Sequence, residues 1–147
     1  MSLKSETAVT TIVSGYNCAQ SVFSAFCEDF NIDRDTALKT SCGFGAGMAR
    51  KQEVCGALTG GILVIGAKYG RGELEDRSAT ELTYDKVRLL LDRFADLRGT
   101  LICRELLNGC DLTTEEGQRH FKQARLLETF CSGCVRDVVL ILEEILN

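Results

Sequence analysis

The sequence predicts an all-α fold, a single-domain bundle of about six to eight helices spanning residues 1–147. Three observations carry that prediction. The chain contains no proline, the residue that breaks helix interiors and punctuates loops. Apolar residues recur at steps of three and four, which lines one face of a helix. Valine, isoleucine and threonine rarely alternate with polar residues, so no segment reads as a strand.

The elements follow in order. A short first helix is expected over residues 5–14, stopped by Gly15. Asn17 suits the N-cap of a second, with Ala19, Val22, Phe23, Phe26 and Phe30 on one face. Asp33 caps a third, which runs through Ala37 and Leu38 toward a glycine cluster. Residues 55–69 form a fourth, ended by Gly70 and Gly72. The fifth carries an amphipathic stripe of Val87, Leu90, Leu91, Phe94 and Leu97.

Gly99 allows a bend, and residues 101–108 make a short helix stopped by Gly109. The last helical region starts at Thr113 or Thr114 and runs to Leu146, with a break expected near Gly133. Within it Ala124, Leu127, Cys131, Cys134, Val138, Ile141 and Ile145 alternate steps of three and four, placing both cysteines on the core-facing seam.

Nine of the fourteen glycines fall between Gly43 and Gly72. The run Gly43-Phe44-Gly45-Ala46-Gly47 is like a nucleotide loop only superficially, because it lacks the preceding strand, the third-glycine spacing and a P-loop lysine. Gly56/Gly60 and Ala57/Gly61 leave one face of the fourth helix almost bare. Close helix packing accounts for most of that, and beside Cys55 it leaves room for a second sulfur or a cofactor.

Charge and hydropathy exclude other classes. The net charge is −4 and no basic block exceeds Arg50-Lys51, whereas a nucleic-acid binder needs a basic stripe to displace counterions. The longest apolar run, residues 57–67, is well short of the roughly 20 residues a membrane span requires. The amino-terminal residues have no apolar h-region, so no secretory signal is expected and the protein reads as cytoplasmic. In a reducing compartment eight cysteines point to metal binding or redox chemistry more than to a disulfide framework.

Cys18 follows the cap Asn17, and Cys55 opens the fourth helix. The free amides and positive dipole end there favour thiolate over thiol, making these two the candidate reactive sulfurs. Cys103 shares a face with Leu106 and Leu107 and taken alone reads as core. Cys131 and Cys134 form Cys-Ser-Gly-Cys, which can aim two sulfurs one way. Neither the βαβ setting of a redox CxxC nor the second CxxC of a zinc ribbon accompanies it. Cys27 and Cys42 read as packing residues, and Cys110 lies in a loop. His120, the single histidine, reads as a solvated position and leaves little scope for a histidine-rich metal site or a Ser-His-Asp machine.

Taken together these landmarks resemble a known family. Asn17-Cys18-Ala19-Gln20, the run Gly43 to Met48, Cys55-Gly56-Ala57-Leu58-Thr59-Gly60, then Phe94, Gly99, Cys103-Arg104-Glu105-Leu106-Leu107 and Cys131 come in order. The chain resembles the bacterial and archaeal family labelled by its cysteine pattern, C_GCAxxG_C_C, whose members are inferred to be redox-active. The label writes Gly-Cys-Ala where this sequence reads Cys-Gly-Ala at Cys55, and the cysteine is the residue aligned. By position the resemblance implies that Cys18, Cys55, Cys103 and Cys131 are the family's four cysteines, with Cys134 competing for the fourth place. A related domain occurs in split-Soret cytochromes, where the resemblance would imply an iron–sulfur site.

Three functions then stand as expectations. The first is a thiol-based redox protein in which Cys18, Cys55, Cys103 and Cys131 converge and exchange dithiol for disulfide with a partner protein. The second has the same four thiolates, or Cys134 among them, hold an iron–sulfur cluster or another metal. The third is a non-catalytic helical interaction protein whose cysteines fill the core. Catalytic turnover, substrate and self-association into a homo-oligomer stay open at this stage.

Overall fold

The computed structural model describes residues 2–147. Eight helices form among them: α1 (Leu3–Val13), α2 (Cys18–Phe26), α3 (Arg34–Ser41), α4 (Gly56–Tyr69), α5 (Arg77–Arg98), α6 (Cys103–Leu106), α7 (Glu115–Gln123) and α8 (Ser132–Ile145). The only extended pairing among the described residues is an isolated antiparallel bridge between Val54 and Ile102. No described helix is long and apolar enough to cross a membrane.

The expected caps explain where the helices begin. The Asn17 side chain accepts from the Gln20 amide, and Gln20 Oε1 accepts from the Asn17 amide, closing a reciprocal box at the start of α2. Asp33, Asp76 and Thr114 do the same one-sided work for α3, α5 and α7. Gly99, in the left-handed conformation with φ +80°, ends α5.

Helices α1, α2, α4, α5 and α8 enclose the main core, with α4 packed on α2, α5 and α8. Ile12, Val22, Phe26, Leu58, Val64, Ile65, Leu90, Phe94, Val138 and Leu142 are fully buried there, each contributing roughly 1.5–3 kcal/mol of apolar burial. The bare face of α4 has the expected packing role. A Cβ on Gly60 would stand 2.6 Å from the Ala19 carbonyl oxygen, so α2 and α4 cross backbone to backbone. A smaller cluster of Cys103, Leu107, Cys110, Leu112 and Leu126 forms beside the first, and Cys131 packs against both.

Three expectations are corrected. The last helical region breaks at Arg125, which takes a φ of +53°, and not at Gly133. A wide π turn over Leu127–Cys131 then leads directly into α8. The short helix expected over residues 101–108 starts later, at Cys103, because Leu101 and Ile102 are held extended against Glu53–Cys55. Cys42 is exposed instead of packed: it opens the short turn that follows α3, tied to the fold through its carbonyl, which accepts from Asn17 Nδ2 at 2.8 Å.

Candidate functional site

The two apolar clusters do not close completely on each other. Between them lies a cavity of about 260 Å³ whose lining includes Cys18, Cys55, Cys103, Cys131 and Cys134. The four cysteines expected to converge are therefore brought to one place, together with a fifth. Cys27, Cys42 and Cys110 do not line this cavity; the Cys110 thiol donates to the Gly117 carbonyl instead, and His120 is exposed on α7.

Each sulfur arrives by a different local device. Cys18 is the first residue of α2, held there by the Asn17 cap. A Cβ placed on Gly56 would meet the Cys18 Cβ at 3.2 Å, so the missing side chain at Gly56 is what lets Cys18 approach the start of α4. Cys55 and Cys103 flank the Val54–Ile102 bridge: the Cys55 amide donates to the Leu101 carbonyl at 2.8 Å, and the Cys103 amide to the Glu53 carbonyl at 2.6 Å. Cys131 closes the π turn and Cys134 lies on the first turn of α8.

The sulfurs fall into two contacts and one flanking group. The side chain that most affects the Cys18 thiol is Cys131, and the one that most affects the Cys134 thiol is Cys55. Cys131, Cys134 and the Gln52 side chain are the neighbours that act on the Cys103 thiol. Cys18 and Cys131 are half-buried, whereas Cys55, Cys103 and Cys134 are buried. The first pair thus forms an outer tier and the second an inner one. All eight cysteines are free.

The electrostatics reverse one expectation. The helix start was expected to favour the Cys18 thiolate. Its pKa is instead pushed well above the ordinary thiol value, first by the hydrogen bond with Cys131, then by burial and by the sulfurs of Cys131, Cys55 and Cys134. A helix end contributes about half a charge, which adjacent sulfurs and an apolar wall outweigh. Burial chiefly pushes the Cys103 thiol up to about 12. The hydrogen bond with Cys55, then burial, pushes Cys134 far upward. These three sulfurs are thiols, not thiolates, at neutral pH.

The loop entering Cys55 is unusual. Five consecutive residues, Ala46 to Arg50, have φ between 54° and 68°, and Gln52 has φ 57°. The Ala49 amide donates to the Gly45 carbonyl at 2.9 Å and the Glu53 amide to the Gly47 carbonyl at 3.0 Å. This is one turn of left-handed helix, which costs roughly 1–2 kcal/mol for each residue bearing a Cβ. It carries Ala46 and Arg50 to the cavity. Gln52, buried just after it, donates from Nε2 to the Cys110 carbonyl at 2.6 Å and accepts at Oε1 from the Leu112 amide at 2.8 Å. Neither the left-handed turn nor Gln52 was expected from the sequence; the dense glycines at Gly43, Gly45 and Gly47 were the one available sign of unusual backbone.

Among the described residues, no three His, Cys, Asp or Glu side chains are grouped closely enough to hold a single metal ion as they stand. Much of the remaining wall is apolar, formed by residues such as Ile12, Leu106, Leu112, Phe121 and Leu127, with Arg50, Gln118 and Lys122 also lining it.

Comparison with known proteins gives three results. A family model described as "Putative redox-active protein (C_GCAxxG_C_C)" matches residues 16–145. An uncharacterized protein of Archaeoglobus fulgidus is 30% identical over 111 residues, which cover 70% of this chain and 73% of that protein. No solved structure matches the chain.

Proposed function

The chain belongs to the C_GCAxxG_C_C family, and from that premise we propose that it exchanges dithiol for disulfide at the sulfurs around the cavity. The observation that carries this reading is the pairing of Cys18 with Cys131 and of Cys55 with Cys134 in one partly open pocket.

The exchange runs through the outer pair. One sulfur of Cys18/Cys131 loses its proton and attacks a sulfur of the partner's disulfide. That S–S bond breaks, the departing sulfur takes up a proton, and a mixed disulfide remains. The second sulfur of the pair attacks the first, releasing the partner's other thiol. The partner gains two electrons and two protons, and the pair becomes a disulfide. Cys55 and Cys134 can repeat the same exchange one layer deeper and return the outer pair to dithiol. Cys103 stands beside both pairs as a further sulfur for the transfer. Because Cys18 is held as a thiol, the reaction is slow at neutral pH until a base or the arriving partner removes its proton.

The test is equilibration of the protein in a series of dithiothreitol redox buffers, followed by acid quench, differential alkylation and peptide mapping. Two-electron oxidation confined to Cys18, Cys131, Cys55, Cys134 and Cys103 is expected. Oxidation only at exposed Cys42, through intermolecular bonds, would overturn the reading.

One observation favours a second reading, an iron–sulfur cluster: the cavity offers five sulfurs, more than a single exchange needs. Cys18, Cys55, Cys103 and Cys131 would hold it, with Cys134 as the alternative fourth ligand. Four thiolates suit either common cluster type and would supply one-electron transfer. The spacing that disfavours a single ion does not bear on a cluster, whose own core keeps its thiolates apart. Iron and sulfide analysis of anaerobically prepared protein decides between the two. A brown protein whose visible absorption is lost in Cys55→Ser supports the cluster, and a colourless one with titratable thiols supports exchange.

A further inference from the structure

The cavity mouth carries a charge pattern that the exchange reading leaves unused. Arg50 and Lys122 both line the cavity, and no aspartate or glutamate does. Both are exposed, and among the described residues neither joins an ion pair or a side-chain hydrogen bond. Among the described residues, eight of the seventeen Lys and Arg side chains meet a carboxylate; Arg50 and Lys122 are among the nine that do not, and are the two of those that line the cavity. The chain as a whole is acidic, with a net charge of −4, so two free cations lining the cavity beside the sulfurs run against the general field. Arg50 is also the last residue of the left-handed turn, so strained backbone is maintained where it delivers this charge. The first turn of α4, which has no side-chain cap, adjoins the same cavity at Gly56 and adds positive potential.

Size narrows the occupant. At about 260 Å³ the cavity lies near the lower end of small-ligand pockets, roughly 300–1,000 Å³. Its reactive outer pair is half-buried, so a folded partner would have to insert a loop to reach it.

We propose, building on the exchange reading, that the substrate is a low-molecular-weight disulfide bearing carboxylate or sulfonate groups, drawn to the outer pair by Arg50 and Lys122. Its S–S bond is cleaved as described for the partner disulfide: the Cys18/Cys131 dithiol becomes a disulfide, and the small molecule leaves as two protonated thiols. The cations hold the anionic ends while the apolar wall receives the carbon chain.

The test is the rate at which the reduced full-length protein is oxidised by three small disulfides: dithiodipropionate (anionic), hydroxyethyl disulfide (neutral) and cystamine (cationic). Each reagent is run against wild type, Lys122→Gln, Arg50→Asn and the double variant. Asparagine tolerates the left-handed backbone at position 50, and Lys122→Gln alone keeps the test valid if Arg50→Asn does not fold. Taking the wild-type to variant ratio for each reagent cancels differences in leaving-group reactivity. The double variant should lose about tenfold more rate with dithiodipropionate than with hydroxyethyl disulfide, and gain with cystamine relative to it. Lys122→Gln alone should show about a threefold effect in the same sense. Ratios that are equal for all three reagents would overturn the proposal and leave a protein disulfide as the substrate class, with exchange itself intact. Wild-type protein that none of the three oxidises, although its thiols alkylate, would overturn the exchange reading as well.

Discussion

Val54 and Ile102 pair as an isolated antiparallel bridge, and the residue following each is a cysteine that opens onto the cavity. Two backbone hydrogen bonds therefore fix the separation of Cys55 and Cys103, through Leu101 and Glu53. Both cysteines are buried, so their amides are shielded as well as bonded. Opening this pair requires parting the two apolar clusters, which is close to global unfolding. Hydrogen exchange followed by NMR should find the Cys55 and Cys103 amides protected nearly as strongly as the middle of α4. Exchange as fast as that of an exposed loop would show that the bridge is not what holds the sulfurs in place.

Gln52 is the next point of leverage. Its amide group satisfies the Cys110 carbonyl and the Leu112 amide and reaches the Cys103 thiol. Gln52→Leu keeps the bulk but leaves two buried backbone groups without partners, each costing about 1–3 kcal/mol. Urea unfolding should show a loss of about 3 kcal/mol. Because the Gln52 hydrogen bond lowers the Cys103 pKa, the same variant should make Cys103 slower to alkylate at alkaline pH. A stable variant with unchanged Cys103 reactivity would assign Gln52 no part in the site.

How much of this could be read from the chain alone depends on whether the cause is local. Asn17, Asp33 and Gly99 are local signals, and the helices they delimit begin or end where expected. The amphipathic stripe through Leu90 and Phe94 likewise faces the core. The convergence of Cys18, Cys55, Cys103 and Cys131 was legible as an ordered pattern, whereas the pairing within it depends on long-range packing. The left-handed turn was hidden because Ala46, Met48, Ala49 and Arg50 have no intrinsic leaning toward positive φ; the turn closes on its own backbone hydrogen bonds, and long-range bonds hold Gln52 and Glu53 just after it. The raised pKa of Cys18 was hidden for a related reason. A helix start is visible in a sequence, but the sulfur of Cys131 that meets it is not.

The contrasting environments of two glycines in α4 test the packing argument. Gly60 lies against the Ala19 backbone, 2.6 Å from its carbonyl oxygen by the position of an added Cβ, while Gly66 has nothing within 4 Å. Gly60→Ala must push α2 off α4, at a cost of about 1–3 kcal/mol, and carries Cys18 away from Cys55. Gly66→Ala should instead stabilise by about 0.5–1 kcal/mol through helix propensity alone. Thermal unfolding of the two variants should shift in opposite directions. A Gly60→Ala protein as stable as wild type would mean the helices cross with slack that the structure does not have.

The raised thiols make stability fall at alkaline pH. A thiol whose pKa is higher in the folded protein is one whose proton the folded chain holds more tightly. That contribution is complete below the unfolded thiol's pKa, near 9.0, and is lost as pH rises through the folded value, about 12 for Cys103. Cys18 and Cys134 are raised too and act in the same direction. Under reducing conditions the urea midpoint should therefore hold steady up to about pH 8 and decline from about pH 9 onward. The informative comparison is Cys103→Ala, whose decline should be shallower by at most one proton's worth of slope. Parallel curves for the two proteins would mean that Cys103 is not held as a buried thiol.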